Sequence, residues 1–200
     1  GILPLVYVTA PNSPVNNIQD LVKAAKAKPN GLNTAVSTTT CRMAHELFTQ
    51  RAEAPMFPVD FKGSAQAITA LMGGHIEFMV DTITSLRTQV TSGQVKALGV
   101  TSAASSKLLP GVKSLAEQGV TGYELVGWTV IFAPKGLPPE ASRALATAMT
   151  RTLERKDVQD KLLFMGIDPL VKTGDELKAF VAGEKEKWGR LINSAGLKPS

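Results

Sequence analysis

Leu32-Asn33-Thr34-Ala35-Val36-Ser37-Thr38-Thr39-Thr40-Cys41-Arg42-Met43-Ala44-His45-Glu46-Leu47-Phe48 reads as a short strand, a run of hydroxyl side chains and then a helix. Met43, Leu47 and Phe48 recur at helical spacing, whereas the residues up to Val36 do not. A strand that feeds directly into a helix aims the first backbone N–H groups of that helix out of the carboxyl edge of a sheet. Those groups and the helix dipole favour an anion there. Ser37, Thr38, Thr39 and Thr40 can cap the helix or donate to a ligand. Arg42 adds a positive charge in the first turn. Taken alone, the stretch is explained as well by one threonine acting as an N-cap and the others meeting solvent.

The same alternation repeats on both sides of it. Upstream, Ile2 to Thr9 reads as a strand, and Asn16 or Asn17 caps a helix with Ile18, Leu21, Val22 and Ala25 on one face. Downstream, Met56-Phe57-Pro58-Val59 is a short strand. Ser64 is placed to cap a helix through Leu71, which Gly73-Gly74 closes in a left-handed turn. Residues 76–80 form a buried strand ending on Asp81-Thr82, residues 84–91 a short helix and residues 95–101 another strand. Strands and helices at this steady spacing predict an α/β layer with a mostly parallel sheet. In such sheets ligands bind beyond the carboxyl ends of the strands. Three loops meet that description, at 37–41, 60–65 and 81–85, and they are predicted to converge.

The second part of the chain reads differently. Residues 123–133, with Trp128, are apolar over a length too great for one compact strand unless the segment crosses between two bodies. Pro134-Lys135-Gly136-Leu137-Pro138-Pro139 breaks the chain, and a helix then runs to about Arg155. Another covers residues 158–165. Thr173-Gly174-Asp175-Glu176 reads as a capping box. The helix it opens carries Leu177, Phe180, Val181, Trp188, Leu191 and Ile192 on one face, with Gly196 and Pro199 as stops. These helices need a sheet to cover, and the chain after residue 133 scarcely supplies one.

Composition narrows the function classes. The chain of 200 residues is 44% hydrophobic and 20% charged, as expected of a globular protein. No apolar run reaches the length of a membrane span. The net charge of +5 comes from scattered lysines and arginines. Nucleic-acid binding calls for a clustered basic face, so it is set aside. One cysteine, Cys41, excludes an internal disulfide. Cys41 and His45 lie four apart on one helix, but no third orienting group or oxyanion site accompanies them. His45 and His75 without a carboxylate cluster do not make a metal site. No cofactor or metal is expected.

Beyond these readings, the chain resembles the tripartite tricarboxylate transporter receptor family, the Bug receptors. The resemblance is carried by Asp60-Phe61-Lys62-Gly63-Ser64-Ala65, by Leu71-Met72-Gly73-Gly74-His75-Ile76-Glu77-Phe78-Met79-Val80-Asp81 and by Ser92-Gly93-Gln94-Val95-Lys96-Ala97-Leu98-Gly99-Val100-Thr101-Ser102. Gly122-Tyr123 with Trp128, Ala133-Pro134-Lys135-Gly136 and Lys187-Trp188-Gly189 complete it. It implies a periplasmic-binding-protein type II-like α/β fold, in which two lobes close on a small carboxylate. One complete lobe with a mostly parallel sheet would span residues 10–122. Residues 1–9 and 123–200 would be the hinge strands and C-terminal helices of an incomplete, helix-rich first lobe. The chain thus reads as N-terminally truncated. The family's opposing proline-glycine-rich loop has no counterpart. Threonines and Arg42 stand where family members carry glycines and a histidine.

The resemblance implies a non-enzymatic receptor that captures a dicarboxylate, tricarboxylate or related organic or amino acid. It would be periplasmic, its signal peptide lying outside this chain, and would hand its ligand to a membrane permease. A homodimer is a further expectation for the truncated form. The expected ligand-binding residues are Ser37, Thr38, Thr39, Thr40, Arg42, Gly63, Ser64, Ala65, Asp81 and Thr82. Three other readings stay open: an effector-sensing domain of a transcription regulator, a small hydrolase using Cys41, and a truncated form that no longer binds.

Overall fold

The computed structural model describes residues 1–194. Gly196 and Pro199, read as stops of the last helix, lie outside the described residues. The chain divides into two compact units. One is Leu3–Gly127, and the other joins Gly1–Ile2 to the residues from Trp128 onward.

The first unit is built on a sheet. Its strands are β1 (Ile2–Thr9), β2 (Leu32–Val36), β3 (Met56–Asp60), β4 (Phe78–Thr82) and β5 (Lys96–Val100), in the order β3-β2-β4-β1-β5, with the short β6 (Val126–Trp128) pairing with β1. β2 runs parallel to β3 and β4. β1 runs antiparallel to both β4 and β5. The carboxyl ends of β2, β3, β4 and β5 therefore leave the sheet at one edge. β1 occupies the middle of the sheet, and Leu5, Val6, Tyr7 and Val8 are fully buried. The sequence groups this strand with residues 123–200, but its pairing with β4 and β5 puts Leu3–Thr9 in the sheet of the first unit.

Four helices alternate with these strands: α1 (Ile18–Ala27), α2 (Thr39–Ala52), α3 (Ser64–Met72) and α4 (Ile83–Thr91). Each starts where local chemistry permits. Asn17 caps α1 by accepting from the Asp20 N–H at 2.8 Å. Thr38 caps α2 by accepting from the Cys41 N–H at 3.2 Å, and Thr82 caps α4 by accepting from the Ser85 N–H at 3.2 Å. α3 corrects the expectation. Its N-cap is Gly63, which has no side chain to offer, and Ser64 is the first helical residue, its hydroxyl donating to Asp81. The left-handed turn after α3 falls on Gly74, at φ 72°, and not on Gly73.

The core of this unit joins β1 to α2. Phe48 packs against Tyr7 at 5.1 Å between ring centroids and against Tyr123 at 6.4 Å. Both tyrosine hydroxyls donate to the Ala44 carbonyl, Tyr7 at 3.2 Å and Tyr123 at 3.0 Å. Buried rings with satisfied polar ends combine large apolar area with a fixed orientation. They seat α2, and so its N-terminus, firmly on the sheet. The segment 113–118 forms a turn. Ser114 and Glu117 cap it reciprocally, the Ser114 N–H donating to Glu117 Oε2 at 2.7 Å and the Glu117 N–H to Ser114 Oγ at 3.1 Å.

The second unit is helical. α5 (Pro139–Glu154), α6 (Lys156–Phe164) and α7 (Gly174–Ser194) follow the proline break. Gly1 and Ile2 join it through main-chain bonds: the Thr129 N–H donates to the Gly1 carbonyl at 3.0 Å, and Ile2 and Asp168 exchange a pair at 2.8 and 2.9 Å. Trp128 meets Phe180 edge-on at 6.1 Å. The expected capping box does not close. Glu176 pairs with Lys172, and Asp175 with Lys178, so the N3 carboxylate is drawn away from the Thr173 main chain. Neither α5 nor α6 has a buried residue. Their apolar faces, with that of α7, instead line a hollow of about 600 Å³. No helix among the described residues is long and apolar enough to cross a membrane.

Candidate functional site

The registers of the parallel strands fix what meets at the sheet edge. Val36 pairs with Val80 across β2 and β4, and with Asp60 across β2 and β3. One residue further on, Ser37 and Asp81 are neighbours. The Ser37 hydroxyl donates to Asp81 Oδ2 at 2.6 Å, and the Ser64 hydroxyl donates to the same oxygen at 2.7 Å. The Thr82 N–H donates to Asp81 Oδ1 at 2.7 Å. The Phe61 N–H donates to the Val36 carbonyl at 2.9 Å, carrying the ladder past the end of β3. Side chains from all three predicted loops therefore meet on one carboxylate, as the alternation of strand and helix implies.

Asp81 is 1% exposed. Burying a carboxylate is costly unless charge-assisted hydrogen bonds replace its water. Three donors do so here, and α2, α3 and α4 all begin beside it, so their positive ends add a favourable field. Asp81 does not stand open to solvent. It ties the three loops together from behind.

Around this anchor the predicted residues take distinct places. Thr38 is spent as the α2 cap. Thr39 is exposed and Thr40 half-exposed at the first turn of α2, where main-chain N–H groups have no intrahelical acceptor. Ser64 and Ala65 occupy the corresponding positions at the start of α3, behind Gly63. Thr82 is held locally, its hydroxyl 2.8 Å from that of Ser85. Arg42 is not free. Its guanidinium meets Asp60 Oδ2 at 2.9 Å and Glu46 Oε1 at 3.3 Å, bracing the α2 start against the end of β3. Asp60 and Ser85 were not singled out from the sequence. The signal for Asp60 was available, since a carboxylate ending β3 beside a first-turn arginine of α2 is a ready ion pair.

Cys41 and His45 are both buried and are not paired with each other. The Cys41 sulfur lies 3.1 Å from Thr38 Oγ1 and 3.7 Å from Ser37 Oγ. Burial and the Asp81 charge push its thiol up, against smaller opposing bonds from Thr38 and Ser37. Burial lowers His45 to about 4, against a hydrogen bond to the Met56 main chain, and the Arg42 charge lowers it further. Its Nδ1 has no partner. A raised thiol beside no available base is not an activated nucleophile. Among the described residues there is no cluster of His, Cys, Asp and Glu suited to a metal ion.

Comparison with known proteins bears on the family and the fold. The family described as tripartite tricarboxylate transporter family receptor matches residues 2–197. The chain is similar to the UPF0065 protein in the tcbD-tcbE intergenic region of a Pseudomonas species, at 33% identity over 193 residues, covering 95% of this chain and 57% of that protein. It is similar to the protein BugT of Bordetella pertussis, at 28% identity over 200 residues, covering 99% of this chain and 61% of that one. Among solved structures, R. palustris Rpa4515 with adipate superposes with a TM-score of 0.77 at 27% identity, over 100% of this chain and 67% of that one. The periplasmic binding protein BugD gives 0.71 at 25% identity, over 100% and 68%. The chain spans about three fifths of the length of these curated relatives.

Proposed function

The chain belongs to the tripartite tricarboxylate transporter receptor family, and from that premise we propose that it captures a small carboxylate at the rim formed by residues 37–41, 60–65 and 81–85. The observation that carries the reading is the meeting of Ser37 and Ser64 on Asp81. That junction brings the N-termini of α2 and α3 to one place and fixes them there. Main-chain N–H groups of Thr39, Thr40, Ser64 and Ala65 would supply the donors to a carboxylate, without a dedicated lysine or arginine. Arg42, neutralised between Asp60 and Glu46, would brace the start of α2 and not pair with the ligand. A similar receptor at 27% identity was solved with adipate, which supports a di-acid as the starting ligand.

In this reading the protein is a receptor and not an enzyme, works outside the cytoplasmic membrane and delivers its ligand to a permease. Leu3–Gly127 acts as one lobe, and Gly1–Ile2 with the residues from Trp128 onward contribute to the other. Capture follows differential affinity: the acid populates whichever conformation binds it more tightly. Isothermal titration of the purified chain with adipate, succinate, citrate and L-malate tests the proposal. Saturable one-to-one binding of at least one acid is expected. Heats of dilution alone for all four would overturn it.

A further inference from the structure

We infer that Asp81 sets the hydrogen-bond polarity of this rim, so that its ligand must carry an O–H or N–H donor beside the carboxylate. The inference rests on the receptor reading above and names the ligand class that follows from it. A serine hydroxyl has one proton and two lone pairs. The protons of Ser37 and Ser64 are both directed at Asp81 Oδ2, at 2.6 and 2.7 Å. Asp81 is 1% exposed and accepts a third bond from the Thr82 N–H at 2.7 Å. It is a positioning residue and does not touch the ligand.

With those protons consumed, Ser37 and Ser64 offer only lone pairs to a bound molecule. Cys41 Sγ, 3.7 Å from Ser37 Oγ, competes for one of them and leaves the other. The rim therefore has two faces of opposite sense. Helix-start N–H groups donate to the carboxylate, and the two serine oxygens accept from a neighbouring donor. A 2-hydroxy or 2-amino diacid satisfies both. A plain diacid leaves the serine oxygens facing its methylenes, with their water displaced and not replaced. Sites that hydrogen-bond a ligand hydroxyl reject analogues lacking it more strongly than apolar pockets reject a missing methylene.

Matched pairs test this: L-malate and L-aspartate against succinate, titrated calorimetrically into the purified chain. Binding of malate or aspartate at least about tenfold tighter than succinate is expected. In Ser37→Ala and Ser64→Ala the malate affinity falls towards that of succinate, while succinate affinity holds. Asp81→Asn places an amide N–H against one serine oxygen and frees its hydroxyl proton, so the ratio narrows again. Loss of fold would lower both affinities together, so the ratio separates polarity from scaffolding. Equal or tighter binding of succinate overturns this inference and leaves the receptor reading intact. Failure of all three acids, with adipate and citrate also silent, overturns both.

Discussion

Ser37 and Asp81, the residues that follow a Val36–Val80 pair in adjacent parallel strands, are joined by a 2.6 Å hydrogen bond between positions 44 apart in the sequence. That bond closes the end of β2 onto the end of β4. Ser64 adds the end of β3 through the same carboxylate oxygen. Removal of the carboxylate in Asp81→Ala leaves two hydroxyls and the Thr82 N–H without an acceptor in a buried place. We expect a loss of about 2–4 kcal/mol in chemical denaturation, since hydrogen bonds to charged groups contribute more than neutral ones. Asp81→Asn keeps the shape and costs less. Equal stability of Asp81→Ala and the parent chain would show that the junction is not structural.

His45 makes the fold sensitive to mild acid. Its folded value is lowered to about 4 by burial, from 6.5 in the unfolded chain. Between those values the unfolded state takes up a proton that the folded state refuses, so stability is lost as pH falls from 6.5 towards 4. Below about 4 both states are protonated and the loss is complete. The shift corresponds to at most about 3 kcal/mol. His45→Leu removes both the titration and the unpartnered Nδ1, and denaturation midpoints between pH 7 and 4.5 should flatten relative to the parent. An unchanged slope would assign the acid sensitivity to other groups.

How much of this was readable beforehand divides along a physical line. Local periodicity carried the alternation of strand and helix, and with it the prediction that three loops share a rim. Ser64 shows where local reasoning stopped. At a helix start a serine is most often a cap, yet Ser64 falls one residue inside α3, and strand order β3-β2-β4 brings Asp81 within reach of its proton. Thr173 to Glu176 failed for a similar reason, since Lys172 competes for Glu176. The place of β1 was not legible at all. A strand pattern reads the same in either direction, and only its pairing with β4 and β5 puts Leu3–Thr9 antiparallel within the sheet of the first unit.

The helical unit has the complementary property, apolar surface without a cover. Ile131 and Phe132 are each 69% exposed, and Phe164 is 85% exposed. Exposed apolar patches of this kind bind amphipathic dyes. The purified chain should enhance the fluorescence of anilinonaphthalene sulfonate under native conditions. Phe132→Ser combined with Leu145→Ser, on the lining of the hollow, should reduce that signal roughly twofold or more without altering the melting of the sheet. Dye binding unaffected by the pair would place the accessible apolar surface elsewhere.

Where a carboxylate sits is open to direct measurement. Backbone amide spectra of the nitrogen-15-labelled chain, recorded during titration with L-malate, locate it most directly. Saturating shifts should cluster on the amides of Thr39, Thr40, Ser64 and Ala65, with smaller changes at Ser37 and Thr82. Shifts confined to the hollow of the helical unit, or saturating changes that leave those four amides unmoved, would contradict it.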